Sequence, residues 1–175
     1  VMTPSEAIKA GIQVIYQDMS IFPNLTVAEN IAINNELYNH RKLVNWKSVK
    51  SIAKEALDHI GIELPLQAVV GELSVADKQL IAIARAILNN SKLIIMDEPT
   101  SALTRKEVDK LFKVIRQLQK EGISTLFVSH KLDEVFEIAD QFTVFRNGKL
   151  VVADSAKNIN DEQFVYYMTG RKLEE

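Results

Sequence analysis

The sequence predicts an α/β fold built on a mostly parallel sheet, and three observations support this prediction. Short apolar runs alternate along the chain with segments whose apolar residues recur at helical spacing, as expected for strands connected by helices. The apolar run Leu93–Met96 has the length of a buried strand and ends in two adjacent acids, Asp97 and Glu98. With 175 residues, the chain has the size of one domain and enough length to bury a substantial core.

The first half of the chain predicts one strand followed by three helices. Thr26-x-x-Glu29 has the spacing of a capping box, and Ser74-x-x-Asp77 repeats that spacing with a shorter acid. Between these two motifs, residues 46–60 form an amphipathic segment that ends at Gly61. The predicted strand spans residues 11–16, and the predicted helices span about residues 26–37, 46–60 and 74–88.

The second half of the chain continues the alternation and closes with a hairpin and a helix. A long helix begins at the capping box Thr104-x-x-Glu107 and ends at Gly122. Asn147-Gly148 is the strongest short turn signal in the chain and predicts a hairpin. The other predicted elements are strands at 93–96 and 124–128, a helix at 131–139, hairpin strands at 141–146 and 149–152, and a helix at 160–168.

The composition argues against several classes of function. A net charge of −2 gives no sign of a basic surface for nucleic acid, and the absence of cysteine excludes disulfides and thiolate metal sites. The most apolar stretch, residues 80–88, has about half the ~20 residues of a membrane span and contains Arg85. Residues 1–5 lack the order of charges and apolar residues that marks a signal peptide. We therefore expect any role at a membrane to depend on a partner protein.

The adjacent acids Asp97 and Glu98 are the first candidates for chemistry. Because neighbouring residues at a strand end point in different directions, the two carboxylates can divide the work. One can hold Mg²⁺ through water while the other orients or deprotonates an attacking water. Strands also often end in polar residues that have no such role, so the pair alone does not decide between these interpretations.

Ser74, Gln17 and His130 are weaker candidates when each is considered alone. Ser74 precedes a helix whose first amides and partial positive charge suit an anion, although a serine there is often only a helix cap. His130 directly follows a predicted strand and can donate to a phosphate oxygen, but an isolated histidine is more often a surface loop residue. Gln17 follows the first strand, where its amide oxygen can coordinate an ion.

In combination, these residues resemble the ATPase domains of ABC transporters over essentially the whole chain. The order of Gln17, the signature segment Leu73–Asp77, the acids Asp97 and Glu98, and His130 matches that family. The segments 10–17, 24–31 and 129–135 resemble the subfamily that energises bacterial importers of monosaccharides of the ribose, galactose and xylose type. Gly170-Arg171 resembles the point where the first ATPase domain of that subfamily meets a second, fused one.

The resemblance implies a role for each matching residue and the cofactors ATP and Mg²⁺. Asp97 and Gln17 would bind the magnesium ion, Glu98 would be the general base, and His130 would contact the γ-phosphate. The nucleotide-binding residues would be Gln17, Ser74, Val75, Ala76, Asp77, Ser101 and His130, with the signature segment binding ATP held by the opposite domain of a head-to-tail pair. Residues 101–104 would form the loop that communicates across this pair.

The sequence also departs from the family pattern at three places, the smallest being Thr104, where many relatives carry an aspartate. The phosphate-binding loop G-x-x-x-x-G-K-[ST] that precedes the glutamine in the family does not occur in these residues. We therefore expect these residues alone neither to bind ATP tightly nor to hydrolyse it. The usual signature is Leu-Ser-Gly-Gly-Gln, whereas Val75, Ala76 and Asp77 occupy its last three positions here. The negative charge of Asp77 interacts favourably with the helix dipole but repels a triphosphate, so its net effect on nucleotide binding stays open.

The resemblance implies a P-loop NTPase-like domain over residues 1–169, truncated at its N-terminal end, with residues 170–175 as a linker or end. Residues 18–90 would hold the glutamine loop and a helical subdomain that bears the signature, and residues 91–169 would hold the carboxylates and His130. The implied partners are integral membrane permease subunits, a second ATPase domain and, indirectly, a sugar-binding protein outside the cell, with no nucleic acid. The implied location is the cytoplasmic face of the cell membrane.

Two other functions remain open from the sequence. One is a domain of the same fold that binds partners and does not hydrolyse ATP, which the missing phosphate-binding loop favours. The other is an ABC ATPase that takes no part in transport, acting in DNA repair or translation. The balanced charge and the importer-like segments argue against the latter.

Overall fold

The computed structural model describes residues 3–16, 19–38 and 44–170, and for residues 34–38 it describes the backbone alone. The described residues form two compact units that meet in sequence between Val128 and Ser129. The first unit contains α1 (Pro4–Lys9), β1 (Ile12–Ile15), α2 (Val27–Tyr38), α3 (Trp46–His59), α4 (Val75–Leu88), β2 (Leu93–Asp97), α5 (Arg105–Lys120) and β3 (Ser124–Val128). The second contains α6 (Leu132–Ile138), β4 (Gln141–Arg146), β5 (Lys149–Ser155) and α7 (Asp161–Thr169).

A parallel sheet of three strands forms the centre of the first unit, as the alternating pattern predicts. Its order is β1-β2-β3, and the register places Val14 beside Ile95 and Ile95 beside Leu126. Because the strands are parallel, their carboxyl ends lie at one edge of the sheet, where α/β proteins bind ligands. The predicted fold class is therefore confirmed.

The two faces of this sheet differ in burial. Ile94 and Met96 of β2 are fully buried, and Phe127 of β3 makes an edge contact with Phe112 of α5 at a centroid distance of 5.8 Å. On the opposite face, Val14 and Leu126 expose 39% and 52% of their surface. Helices therefore cover only one face of the sheet within the described residues.

The helices of the first unit begin where the sequence predicts, with one addition. Thr26 and Glu29 form the predicted capping box, with the Thr26 hydroxyl donating to Glu29 Oε2 at 2.6 Å. α1 is not predicted above, although its signals are present in the sequence. Thr3 and Glu6 form another capping box around Pro4, which occupies the first helical position.

The second unit consists of a hairpin packed on two helices. β4 and β5 are antiparallel, and Asn147 and Gly148 connect them with φ angles of 52° and 72°. Both values lie in the left-handed region that a tight hairpin turn of this kind requires, so the predicted hairpin is confirmed. Phe142, Val144 and Phe164 form its buried cluster.

Among the described residues, no helix is both long enough and apolar enough to traverse a bilayer.

Candidate functional site

The structure places Asp97 and Glu98 at the carboxyl edge of the sheet, on its middle strand. Asp97 is the last residue of β2, is exposed, and lies beside Val128 of β3 in the ladder. The backbone N–H of Glu98 donates to the carbonyl oxygen of Val128 at 2.9 Å. The chain therefore stays attached to β3 for one residue beyond the strand, which fixes the starting point of both side chains.

Glu98 has a backbone conformation that is uncommon for a residue with a side chain. Its φ angle is +44°, in the left-handed region, and it directly follows a regular strand. This conformation turns the chain sharply after Asp97. Residues other than glycine that adopt a left-handed backbone conformation carry a cost in free energy, and they are concentrated at functional sites.

Ser101 follows within a short loop that leads into α5. The Ser101 N–H donates to the carbonyl oxygen of Glu98 at 3.2 Å, and the Leu103 N–H donates to that of Thr100 at 3.2 Å. Thr100 is buried, whereas Ser101 is exposed. The loop therefore holds the backbone of Ser101 against that of Glu98, at a surface that another molecule can reach.

The donors at this edge suit a magnesium ion that completes its shell with water and phosphate. Where Mg²⁺ binds together with a phosphate group, it takes one or two protein carboxylates and keeps several waters. Asp97 is an exposed carboxylate of that kind, and the described residues contain no group of three or more acidic, histidine or cysteine side chains that would form a protein-only metal site. Gln17, the other predicted ligand, lies outside the described residues, as do residues 171–175 of the predicted linker.

Ser74 caps α4, as the sequence predicts. Its hydroxyl oxygen accepts the backbone N–H of Asp77 at 3.1 Å. Ser74 and Val75 are exposed, whereas Ala76 exposes only 5% of its surface. The side chain of Ala76 therefore packs inward, so a contact of this residue with a nucleotide has to come from its backbone amide. The amides of the first helical residues have no acceptor within the helix.

Asp77 makes two contacts that the sequence alone does not predict. The Ser74 hydroxyl donates to Asp77 Oδ2 at 2.9 Å, and Lys110 Nζ lies 3.6 Å from Asp77 Oδ1. Lys110 belongs to α5, so this ion pair joins two helices. The only sequence signal for Lys110 is its place on the exposed face of α5, which does not indicate which residue it faces.

The segment that follows Gln17 is held by the helix that begins at the signature segment. Met19 and Ser20 both have left-handed backbones, with φ angles of 58° and 44°. Arg85 of α4 donates from Nη2 to the carbonyl oxygens of both residues, at 3.3 and 2.9 Å. Burial lowers the pKa of Arg85, which stays a cation because an arginine starts from so high a value. Arg85 thus connects the signature helix to the loop after Gln17.

Asn30 fixes the other end of the same loop. The Phe22 N–H donates to Asn30 Oδ1 at 2.8 Å, and Asn30 Nδ2 donates back to the Phe22 carbonyl oxygen at 2.9 Å. Asn30 is completely buried, whereas Phe22 exposes 49% of its surface. The loop therefore presents an exposed aromatic side chain from a fixed backbone.

His130 belongs to the second unit and precedes α6. Its side chain is exposed. Beside it, the Ser129 hydroxyl oxygen accepts the Lys131 N–H at 3.1 Å and donates to Glu134 Oε2 at 3.4 Å, which orders the start of α6. The structure describes His130 within this unit, and a role for it beside Asp97 and Glu98 stays a prediction.

The comparison with protein families identifies the family to which the chain belongs. The family model described as ABC transporter matches residues 2–101, which is more than half of the chain and includes the signature segment, Asp97 and Glu98. The chain belongs to the ABC transporter family. The family predicted from the motifs is therefore confirmed.

Curated relatives of this ABC transporter chain are named as sugar importers. It is 42% identical over 172 residues to the ribose import ATP-binding protein RbsA of Bacillus licheniformis, which covers 98% of this chain and 35% of that protein. It is 40% identical over 171 residues to a putative ribose/galactose/methyl galactoside import ATP-binding protein of Agrobacterium fabrum, with 98% and 33% covered. The chain therefore spans about a third of the length of the curated relatives it matches.

Solved structures of ATP-binding cassettes share the fold. MJ1267, an ATP-binding cassette of an ABC transporter, superposes with a TM-score of 0.78 at 26% identity, covering 94% of this chain and 70% of that one. MJ0796, a cassette in a dimeric post-hydrolysis state bound to ADP and phosphate, superposes with a TM-score of 0.70 at 21% identity, covering 89% and 68%. The second likeness concerns the fold alone.

Proposed function

We propose that this chain is the part of a sugar-importer ATPase that supplies the hydrolytic carboxylates and the signature segment. The observation that carries the proposal is the position of Asp97 and Glu98 at the carboxyl end of the middle strand, with Glu98 turned by its left-handed backbone. The motif match and the names of the relatives support it. The reaction of the whole protein would be hydrolysis of ATP to ADP and phosphate, coupled to uptake of a monosaccharide.

In this proposal Asp97 and Glu98 take different roles. Asp97 would hold a magnesium ion through water, and Gln17 would approach the same ion from the end of β1. When bound, this ion would screen the charge of the phosphates. Glu98 would accept a proton from the water that attacks the γ-phosphate, which is the work of a general base.

The remaining site residues would bind and sense the nucleotide. Ser74, Val75, Ala76 and Asp77 would face the ATP held by the opposite domain, using the exposed start of α4. Ser101 would lie at the contact between the two domains because its loop is exposed and bonded to Glu98. His130 would donate a hydrogen bond to the γ-phosphate.

The proposed partners are integral membrane permease subunits and a second ATPase domain in a head-to-tail pair, with a sugar-binding protein outside the cell as an indirect partner. The protein would then work at the cytoplasmic face of the cell membrane. Phe22, exposed on a backbone that Asn30 fixes, supports a contact of the loop after Gln17 with a partner. Exposed aromatic residues on ordered backbones are frequent anchors of protein interfaces.

Deletion of the gene tests the coupling of hydrolysis to uptake. We expect the full-length gene product to release phosphate from ATP in the presence of Mg²⁺. We also expect the deletion strain to lose ATP-dependent uptake of at least one of ribose, galactose and xylose, since no other subunit would supply the energy. Uptake of each labelled sugar is measured in the parent strain, the deletion strain and a strain with the gene restored on a plasmid.

The two other functions predict different results in the same measurements. Phosphate release without any change in uptake of these sugars would support an ABC ATPase outside transport. Absence of both phosphate release and an uptake defect would support a domain that binds partners and does not hydrolyse ATP. Either result would contradict the proposed function.

A further inference from the structure

The signature segment of this chain contains an internal acceptor for its own serine. The Ser74 hydroxyl donates to Asp77 Oδ2 at 2.9 Å while its oxygen accepts the Asp77 N–H at 3.1 Å. A hydroxyl group has one proton to donate. The proton that Ser74 would offer to a phosphate oxygen is therefore already used by the carboxylate of Asp77.

The charge of Asp77 adds to this competition. Its carboxylate is partly exposed, with 26% of the side-chain surface accessible, at the helix start where the proposed nucleotide approaches. A hydrogen bond to a charged acceptor is shorter and about twice as strong as one between neutral groups. An incoming triphosphate thus has to replace the Asp77 carboxylate as the acceptor of the Ser74 hydrogen bond. It also has to approach a group of like charge.

Lys110 reduces one of these two costs. Its ammonium group lies 3.6 Å from Asp77 Oδ1, on the oxygen that the Ser74 hydroxyl does not contact. Lys110 comes from α5, and its side chain is 41% exposed. An ion pair at this degree of exposure contributes little to stability, but it reduces the negative potential that a nearby anion meets.

We propose that Asp77 holds the nucleotide affinity of the signature segment low by occupying the Ser74 hydroxyl, and that Lys110 limits this effect by neutralising Asp77. The inference rests on the proposed function, because it requires that the segment binds ATP. It assigns to Asp77 the regulation of that site, and to Lys110 a positioning role exerted through Asp77. Two side chains therefore set the affinity for the nucleotide. Asp77 competes with the phosphate for the Ser74 hydroxyl, and Lys110 compensates for the charge of Asp77.

Two substitutions of Asp77 separate its charge from its hydrogen bond. Asp77→Asn removes the charge and leaves a weaker acceptor for Ser74, whereas Asp77→Ala removes both. In the full-length gene product, we expect the KM for ATP to fall roughly threefold with Asp77→Asn and up to about tenfold with Asp77→Ala. The helix cap itself persists in both variants, because Ser74 accepts from the backbone amide of residue 77.

Lys110 is tested by a double-mutant cycle. We expect Lys110→Met alone to raise the KM for ATP by roughly two- to fivefold at low ionic strength, because the charge of Asp77 is then uncompensated. In the Asp77→Ala background, Lys110→Met should change the KM by less than about twofold, since Lys110 acts through Asp77. If Lys110→Met still raises the KM for ATP by the same factor in this background, Lys110 contacts the nucleotide itself, which contradicts the role proposed here.

The matched control is Asp58→Asn on α3. Asp58 is also an aspartate paired with a lysine, Lys54, at 2.9 Å, so the control makes the same change of charge away from the signature segment. We expect it to leave the KM unchanged. Thermal unfolding of every variant is recorded, because a loss of folded protein lowers activity but does not lower a KM.

The outcomes separate this inference from the proposed function. If the wild-type protein hydrolyses ATP and the Asp77 variants show an equal or higher KM, the inference is wrong and the proposed function stands. If neither wild type nor the variants bind or hydrolyse ATP, both are wrong. A lower KM in both Asp77 variants, with Asp58→Asn unchanged, supports both.

Discussion

At the scale of single residues, two side chains hold the backbone of the loop after Gln17. Arg85 binds two consecutive carbonyl oxygens of left-handed residues, and Asn30 binds the backbone of Phe22 in both directions. Both side chains lie on helices that flank the loop after Gln17. They keep a loop of unusual backbone conformation in one arrangement, which a loop with a binding role requires.

Asn30 provides the clearest test of a structural residue. Its amide donates to Phe22, Leu25 and Thr26 and accepts from Phe22, and it is fully buried. We expect Asn30→Ala to reduce the free energy of unfolding by about 2–4 kcal/mol, because buried backbone groups lose their partners. Urea denaturation of the 175-residue chain measures this change.

The control for this prediction is Asn24→Ala, an exposed asparagine in the same loop. We expect the control to change the free energy of unfolding by less than about 0.5 kcal/mol. Equal effects of the two substitutions would mean that the buried network around Asn30 does not stabilise the loop.

At the scale of elements, we expect the capping boxes to make the stability of the helix starts depend on pH. The hydroxyl and the N–H of Thr26 both donate to the carboxylate of Glu29 and hold its pKa below the ordinary value of a glutamate. A carboxyl group with a lowered pKa in the folded state stabilises that state above its unfolded pKa. This contribution is lost as the pH falls through the lowered value.

The substitution Glu29→Gln tests the direction of this pH dependence. We expect the variant to be less stable than the wild type at about pH 7, by up to about 1 kcal/mol, and the difference to shrink towards zero at about pH 2. The same substitution at Glu55, in the middle of α3, is the control and should show no comparable convergence. Stability measured by urea denaturation across this range would contradict the account if the difference at Glu29 did not depend on pH.

The elements that the sequence predicts are those whose signals are local. Asn147-Gly148, the box of Thr26 and Glu29, and the cap at Ser74 each specify a turn or a helix start within four residues, and the structure confirms them. α1 has an equally local signal in Thr3, Pro4 and Glu6, and it was missed because its six residues are too few to show helical periodicity.

Contacts between elements could not be predicted in the same way. Lys110 meets Asp77 because α5 packs beside the start of α4, and Arg85 meets Met19 and Ser20 because α4 packs near the end of β1. Residues far apart in sequence become neighbours through helix packing, and one sequence contains no record of which pairs do so. The candidate site was therefore predicted residue by residue, but not the contacts of its signature segment.

At the scale of the whole molecule, these residues would supply one part of the proposed ATPase site. The carboxylates Asp97 and Glu98 and the signature segment are present in the first unit, while the family's phosphate-binding loop is not among these residues. The superposition with the solved cassette MJ1267 covers 94% of this chain but only 70% of that one. The chemistry proposed for Glu98 would therefore also require a phosphate-binding loop, a motif that these residues do not contain.

The general-base role of Glu98 is the central claim, and the measurement that tests it most directly is ATP turnover by full-length Glu98→Gln. Glutamine keeps the shape of the side chain but cannot accept the proton of the attacking water. We expect the rate of phosphate release to fall by at least about 100-fold while ATP remains bound to the protein. Glu63→Gln, at an exposed position in the loop after α3, is the control and should retain turnover within about twofold of the wild type. A Glu98→Gln protein that hydrolyses ATP at the wild-type rate would contradict the account.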